Sequence, residues 1–332
     1  MPFLFPATQE SSCILPAEND SGLTEAIGKS VQRVLELNSM KIGVSFPTTD
    51  IGHDSGAVRE FVQAAEDLGY DHLRILDHVV GADPSRHPEV SEFYYTHNSV
   101  IREPFTLMAY IAGFTENIGL VTGIVILPQR QTVLVAKQAA EVDVLSGGRL
   151  RLGVGVGWNP VEFTALKEDF STRGQRIEEQ IEVLRLLWTK NPTEYHGKYH
   201  DIESAGINPL PIQRPIPIWM GAGAPGKPVG PSVVLKRVGR IADGYFPLCE
   251  AGDTAKMLIQ TVKTYAREAG RNPDDLKIEG RIDLVGTPEE WKTAVVEWEG
   301  MGADAISVGT TRASFNTPGQ HIEAIRTFRE IL

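Results

Sequence analysis

The sequence predicts an α/β protein built as a single TIM-type (β/α)₈ barrel, with extra chain after its second and fourth strands. Three observations carry that expectation. Eight short β-type runs follow residue 40, amphipathic helical stretches alternate with them, and most strand starts lie about 30 residues apart, the length of one βα unit.

The runs are Ile42–Phe46, His72–Leu76, Gly119–Leu127, Leu150–Val156, Ile216–Met220, Gly244–Pro247, Lys277–Gly280 and Ala305–Val308. Several are short and continuously apolar, as parallel strands covered on both faces should be. Between them Val58, Phe61, Val62, Ala65 and Leu68 recur at helical spacing, and so do Ile177, Ile181, Leu184 and Trp188. Eight such units with right-handed crossovers can close into a barrel, with a doubly wound open sheet as the main rival. Two intervals are long, His78 to Glu103 and Trp158 to Pro215. Extra length after a barrel strand builds the face where active sites lie. The Pro/Gly-rich stretch 206–217 reads as a loop, because the strand–helix alternation resumes after it. Residues 1–39 are rich in Ser, Glu, Asn and Pro, with one helical pattern at Leu23–Leu37. They are expected to be an N-terminal appendage of unknown role, ahead of a barrel domain spanning 40–332.

The 332 residues are 42% hydrophobic and 23% charged, ordinary for a soluble enzyme. A net charge of −11 argues against nucleic acid as a partner. Neither a membrane span nor a signal peptide is expected, because apolar runs are short and the start lacks a basic segment. Two cysteines, Cys13 and Cys249, are too few for a disulfide framework or a four-thiolate metal site, which fits a cytoplasmic protein. His196 and His200 are four apart, but Gly197 and Lys198 between them predict a hairpin rather than a metal-binding helix. Arg173, Arg176 and the acids through Glu182 read as the solvated face of a helix. Asp77, Glu103 and Asp243 are the carboxylates considered for hydrolytic chemistry, and no pairing among them is evident.

Three strand ends could carry chemistry. Asp77 and His78 close the second strand, where a His faces the barrel mouth and could donate a hydrogen bond or proton, with Asp77 fixing loop geometry or the His tautomer. The bland alternative is a structural Asp-His turn. The fourth strand runs into Gly153-Val154-Gly155-Val156-Gly157-Trp158-Asn159. Its alternating glycines either admit a flat ring or phosphate close to the backbone or relieve tight packing, and Trp158 offers a stacking surface. The fifth strand runs into Gly221-Ala222-Gly223-Ala224-Pro225-Gly226, read as an anion nest for a cofactor phosphate rather than a dinucleotide fingerprint, since Asp243 precedes the next strand. Phe93, Tyr94 and Tyr95 either line a pocket or pack the first long loop.

Gly123-Ile-Val-Ile-Leu-Pro-Gln-Arg130, Leu145-Ser-Gly-Gly-Arg-Leu150, Leu152-Gly-Val-Gly-Val-Gly-Trp-Asn-Pro-Val-Glu-Phe163 and Pro217-Ile-Trp-Met-Gly-Ala-Gly223 resemble the bacterial luciferase-like monooxygenase superfamily over about residues 40–332. The nearest resemblance is to the actinobacterial branch that uses the deazaflavin coenzyme F420. It implies a cytoplasmic homodimer acting on a small-molecule substrate, with His78 beside the cofactor ring. It implies a bulge with a non-proline cis peptide in the third strand, placed at Ile124–Val125, that supports the ring from behind. Gly155, Gly157 and Gly221 to Gly223 would cradle ring and phosphate. An acidic chain would disfavour the anionic cofactor tail unless a cation lies near it, and Lys227, Lys236 and Arg237 after the fifth strand are the candidates. The implied reaction is hydride transfer between the deazaflavin and an organic substrate. FMN-dependent monooxygenation is the runner-up, and a non-catalytic flavin-binding barrel is a third option. Where family members that oxidise sugar phosphates or alcohols carry a Glu after the fourth-strand glycines, this chain has Trp158, which suggests a more apolar substrate. Where some carry a Trp shortly after the Asp-His pair, it has Gly81 or Ala82.

Overall fold

A computed structural model describes residues 40–88, 95–223 and 227–332. The expected appendage at 1–39, Phe93, Tyr94 and the turn residues 224–226 lie outside them. Strand β1 is Lys41–Ser45, β2 His72–Ile75, β3 Gly119–Thr122, β4 Val125–Ile126 and β5 Leu150–Gly155. A small pair, β6 Thr193–His196 and β7 Asp201–Ala205, precedes β8 Ile218–Ala222, β9 Gly244–Pro247, β10 Lys277–Asp283 and β11 Ala305–Gly309. The helices are α1 Thr48–Ile51, α2 Ser55–Asp67, α3 Pro104–Ala112, α4 Thr132–Leu145, α5 Pro160–Ala165, α6 Arg173–Thr189, α7 Ser232–Ile241, α8 Asp253–Glu268, α9 Pro288–Gly300 and α10 Pro318–Glu330.

All eight expected runs form strands, and these strands pair in parallel. The sheet order is β3-β2-β1-β11-β10-β9-β8-β5, and a β3–β5 pairing closes the ring. This is the TIM barrel the sequence predicts, and the open-sheet rival falls. Closure also shows in the register, where β1 pairs on one side with β2 (Gly43 with His72) and on the other with β11 (Ile42 with Ile306). Residues Met40–Leu332 form one compact unit.

The two faces of the barrel wall differ in chemistry. Val44, Leu73, Ile75, Leu152, Val154, Ile218, Ile278, Ile306 and Val308 are fully buried aliphatics. The alternate positions hold His72, Arg74, Arg151, Trp219, Phe246, Glu279 and Ser307. Those side chains meet across strands that are not neighbours, such as Arg151 on β5 with Glu279 on β10, which only the barrel interior permits. Period-two alternation therefore sends the aliphatic set outward under the helices and the polar and aromatic set inward.

Two elements depart from expectation. The third run breaks into β3 and β4 at a non-proline cis peptide, and that peptide joins Gly123 to Ile124, one residue before the expected Ile124–Val125. A side chain at Gly123 would collide with Arg74, so the bulge centres on the residue that has none. The acidic face of α6 is not simply solvated. Glu178 holds Arg237 and Arg240 on α7, and Glu179 receives His200 and the backbone N–H groups of Lys198 and Tyr199 from the β6–β7 hairpin. His196 and His200 lie on that hairpin, as the sequence predicts. His200 also contacts the Thr132 hydroxyl at 2.6 Å, tying the hairpin to α4.

Candidate active site

The C-terminal end of β2 delivers Asp77 and His78, and their roles differ. Asp77 is 2% exposed. It accepts from the Ile126 N–H at 3.0 Å and from the Arg130 guanidinium at 2.7 Å. Arg130 in turn reaches Glu103, the N-cap of α3. Asp77 thus clamps the segment just past the third-strand bulge. It fixes loop geometry, and the tautomer role considered for it belongs elsewhere.

The partner of His78 is Glu162, a carboxylate the sequence reading missed. His78 Nδ1 lies 3.1 Å from Glu162 Oε2. The Tyr95 hydroxyl donates to the same oxygen at 3.1 Å, and the Val79 N–H donates to Oε1 at 2.7 Å. Asn159 Nδ2 donates to the Tyr95 oxygen at 2.9 Å, while its own Oδ1 caps α5 by accepting from the Val161 N–H. Glu162 sits in the first turn of that helix with Pro160 at its start, a pattern that suits an acid near a helix N-terminus. Its side chain is fully buried, so its oxygens need these donors.

The His78 ring is walled as well as tethered. Tyr95 stacks on it at 3.9 Å between centroids, and Trp158 approaches edge-on at 5.7 Å. Burial pushes the Tyr95 phenol well above its ordinary range, so it remains a donor across working pH. Tyr95 therefore packs its loop onto the site and lines the pocket at once. A cleft of about 330 Å³ opens beside it, lined by His78, Val80, Tyr95, His97 and Ile101 among others.

Beneath the mouth, Ile124 is half-buried and packs on Val121, Trp219 and Phe246. It stands between two strand ends without side chains. A Cβ on Gly155 would meet Ile124 at 2.6 Å, whereas one on Gly221 would find it at 3.5 Å, an ordinary contact. Gly155 is thus needed for packing under Ile124, and Gly221 leaves room. Gly223 has φ +100° and its Cβ would strike the Pro228 carbonyl, so the chain turns there on backbone grounds alone. Val125 is fully buried, whereas Ile124 and Gly123 are half-buried. Ala222 is buried, while Gly157 and Trp158 are half-exposed.

This arrangement fits a flat tricyclic ring. Ile124 packs on Trp219 and Phe246 as an apolar platform between the strand-end glycines Gly155 and Gly221, and His78, Tyr95 and Trp158 form an aromatic group past the ends of β2 and β5. Of the cations considered for a cofactor tail, Arg237 is buried and bound to Glu178, so it is not available for one. Lys236 lies against the Tyr265 ring. Among the described residues no group of three His, Cys, Asp or Glu side chains is placed to hold a metal, and no helix is long and apolar enough to cross a membrane.

A family model for luciferase-like monooxygenases matches residues 40–285. The chain belongs to the luciferase-like monooxygenase family. An F420-dependent glucose-6-phosphate dehydrogenase of Gordonia bronchialis is 28% identical over 264 residues, 76% of this chain and 71% of the relative. Among solved structures, the monooxygenase RslO1 from Streptomyces bottropensis superposes with a TM-score of 0.72 at 21% identity, covering 88% of this chain and 98% of that one. An F420-dependent secondary alcohol dehydrogenase gives 0.71 at 18% identity, covering 89% and 98%. As a member of this family the chain is an enzyme of the oxidoreductase and monooxygenase class, and both kinds are among its relatives.

Proposed function

We propose that this luciferase-like enzyme is an F420-dependent oxidoreductase acting on a small organic substrate, with His78 as its acid–base group. When bound, the deazaflavin would supply hydride transfer at C5. The observation that carries the reading is the His78–Glu162 pair. A buried carboxylate that accepts from three donors fixes Nδ1 of His78 as a donor. Nε2 is left without a hydrogen bond among the described residues, on a ring held rigid by Tyr95 and Trp158. Such an imidazole can give or take a proton at Nε2 without reorienting. Ile124, Gly155, Gly157, Trp158 and Gly221 would receive the ring, Ala222 and Gly223 the phosphate side, and Asp77 would act by holding the bulge. Trp158 and Ile124 would exclude water from the reacting face.

The apolar floor of Ile124, Val121, Trp219 and Phe246 would also accept FMN, and an FMN-dependent monooxygenase is the second reading. Replacing His78 by Ala tests the first. Oxidation of reduced F420, followed optically against a panel of carbonyl and enone substrates, is expected to slow about 10²-fold while cofactor affinity changes far less. Unchanged turnover in the folded variant would return Asp77-His78 to a structural turn.

A further inference from the structure

The barrel interior holds more cationic than anionic side chains. Arg74 (β2), Arg151 (β5), Arg281 (β10) and Arg312 beyond β11 face two carboxylates, Glu279 and Asp283. Glu279 is committed to Arg151, to the Ser307 hydroxyl at 2.6 Å and to His72 at 3.2 Å. Asp283 accepts from Arg281 at 2.6 Å, and its other oxygen lies 3.1 Å from the Arg312 guanidinium as an ion pair. Arg74 is left over. Its nearest carboxylate oxygen, on Glu279, lies 4.0 Å away, and its side chain makes no hydrogen bond among the described residues. The surplus is local, because the chain as a whole carries −11.

The position of Arg74 matters. Its guanidinium lies over the Phe246 ring at 4.5 Å, against the same cluster that supports Ile124, and beside Gly123 at the bulge. Stacking uses the face of the guanidinium and leaves its in-plane N–H donors open. The side chain is 16% exposed, so those donors reach solvent from inside the barrel. Arg281, two residues past inward-facing Glu279, is one layer nearer the mouth and 29% exposed. Gly309 lies between Asp283 and Ser45 and adds no side chain above them. Burial lowers Arg74 to about 10, opposed by Glu279 and reinforced by the charges of Arg281 and Arg151, and it stays cationic at neutral pH.

We propose that Arg74 and Arg281, with Arg312 at the rim, form a subsite in the barrel mouth for an oxyanion group of the substrate, a carboxylate or a phosphate. A guanidinium with open in-plane donors, as on Arg74, binds such groups bidentately, and Arg281 beside it adds positive charge. The substrate would then be amphipathic, its charged end on the β10 side of the mouth and its apolar end toward Trp158. This rests on the barrel mouth being the active site.

Calorimetric titration of the protein, without added cofactor and at fixed ionic strength, with inorganic phosphate and with acetate tests it. Binding of at least one anion is expected, weakened about tenfold or more in both Arg74→Gln and Arg281→Gln. Arg326→Gln, on the outer helix α10, should bind as the parent does, and the tighter anion identifies the substrate group. Arg312→Gln, at a half-exposed side chain, is expected to cost several-fold in affinity too, with circular dichroism checking that it folds. No binding of either anion, or equal affinity in the folded arginine variants, would overturn the proposal. Because no cofactor is added, a chain that binds F420 but no anion would keep the functional reading and lose only this one.

Discussion

At the scale of single residues, the site turns on a carboxylate 84 positions away from the histidine it orients. Glu162→Gln keeps the volume but turns one acceptor oxygen into an amide that opposes donors. Turnover is expected to fall about tenfold or more, with KM changed much less and the pH profile of kcat displaced. Circular dichroism would confirm that the variant folds, and a profile matching the parent's would return Glu162 to a structural role. His78 was legible because a strand ending in Asp-His points into the mouth of a barrel. Its partner was not, because Asp77 is adjacent in sequence and Glu162 meets it only once the barrel closes. A signal did exist. Asn159-Pro160 marks a helix start, and an acid in the first turn of a helix beginning at a strand's C-terminal end must lie on the active-site face.

At the scale of elements, β2 and β10 carry charges inside the barrel. Burial opposes charge on Glu279, yet His72, Arg151 and Arg74 hold its carboxyl well below the ordinary range. Burial likewise lowers His72 below its ordinary 6.5, with the Glu279 carboxylate opposing. Both shifts act in one direction. The unfolded chain binds these protons more readily, so their contribution to stability is complete above about pH 6.5 and is lost as pH falls. Glu279→Gln is therefore expected to destabilise the barrel by about 3–5 kcal/mol near neutral pH. Urea unfolding across pH should show that gap closing in acid, and parallel stability curves would contradict the assignment. The alternation that places these charges inward was present in Leu73-Arg74-Ile75 and Ile278-Glu279-Gly280-Arg281-Ile282. Short apolar runs drew attention to the outward face instead. The glycines divide as well. Gly155 and Gly223 are required by Ile124 and by the backbone turn, while Gly221 alone of these leaves space beside Ile124.

At the scale of the whole molecule, the eight-strand count and the strand positions were readable because each βα unit repeats one physical pattern, an apolar strand followed by an amphipathic helix. The β3–β4 break was readable only through the family resemblance, which placed it one residue late, since nothing in Val121-Thr122-Gly123-Ile124-Val125 shows by period alone where the collision with Arg74 will fall. The closed barrel brings His78, Glu162, Ile124 and the strand-end glycines to one mouth, and the family it belongs to includes F420-dependent enzymes and monooxygenases. The measurement that separates these is a fluorescence titration of the protein with F420 and with FMN at matched salt. F420 is expected to bind at least about tenfold more tightly, a difference of roughly 1.4 kcal/mol. FMN binding as well or better, with oxygen consumed when a flavin reductase is supplied, would contradict the F420 assignment.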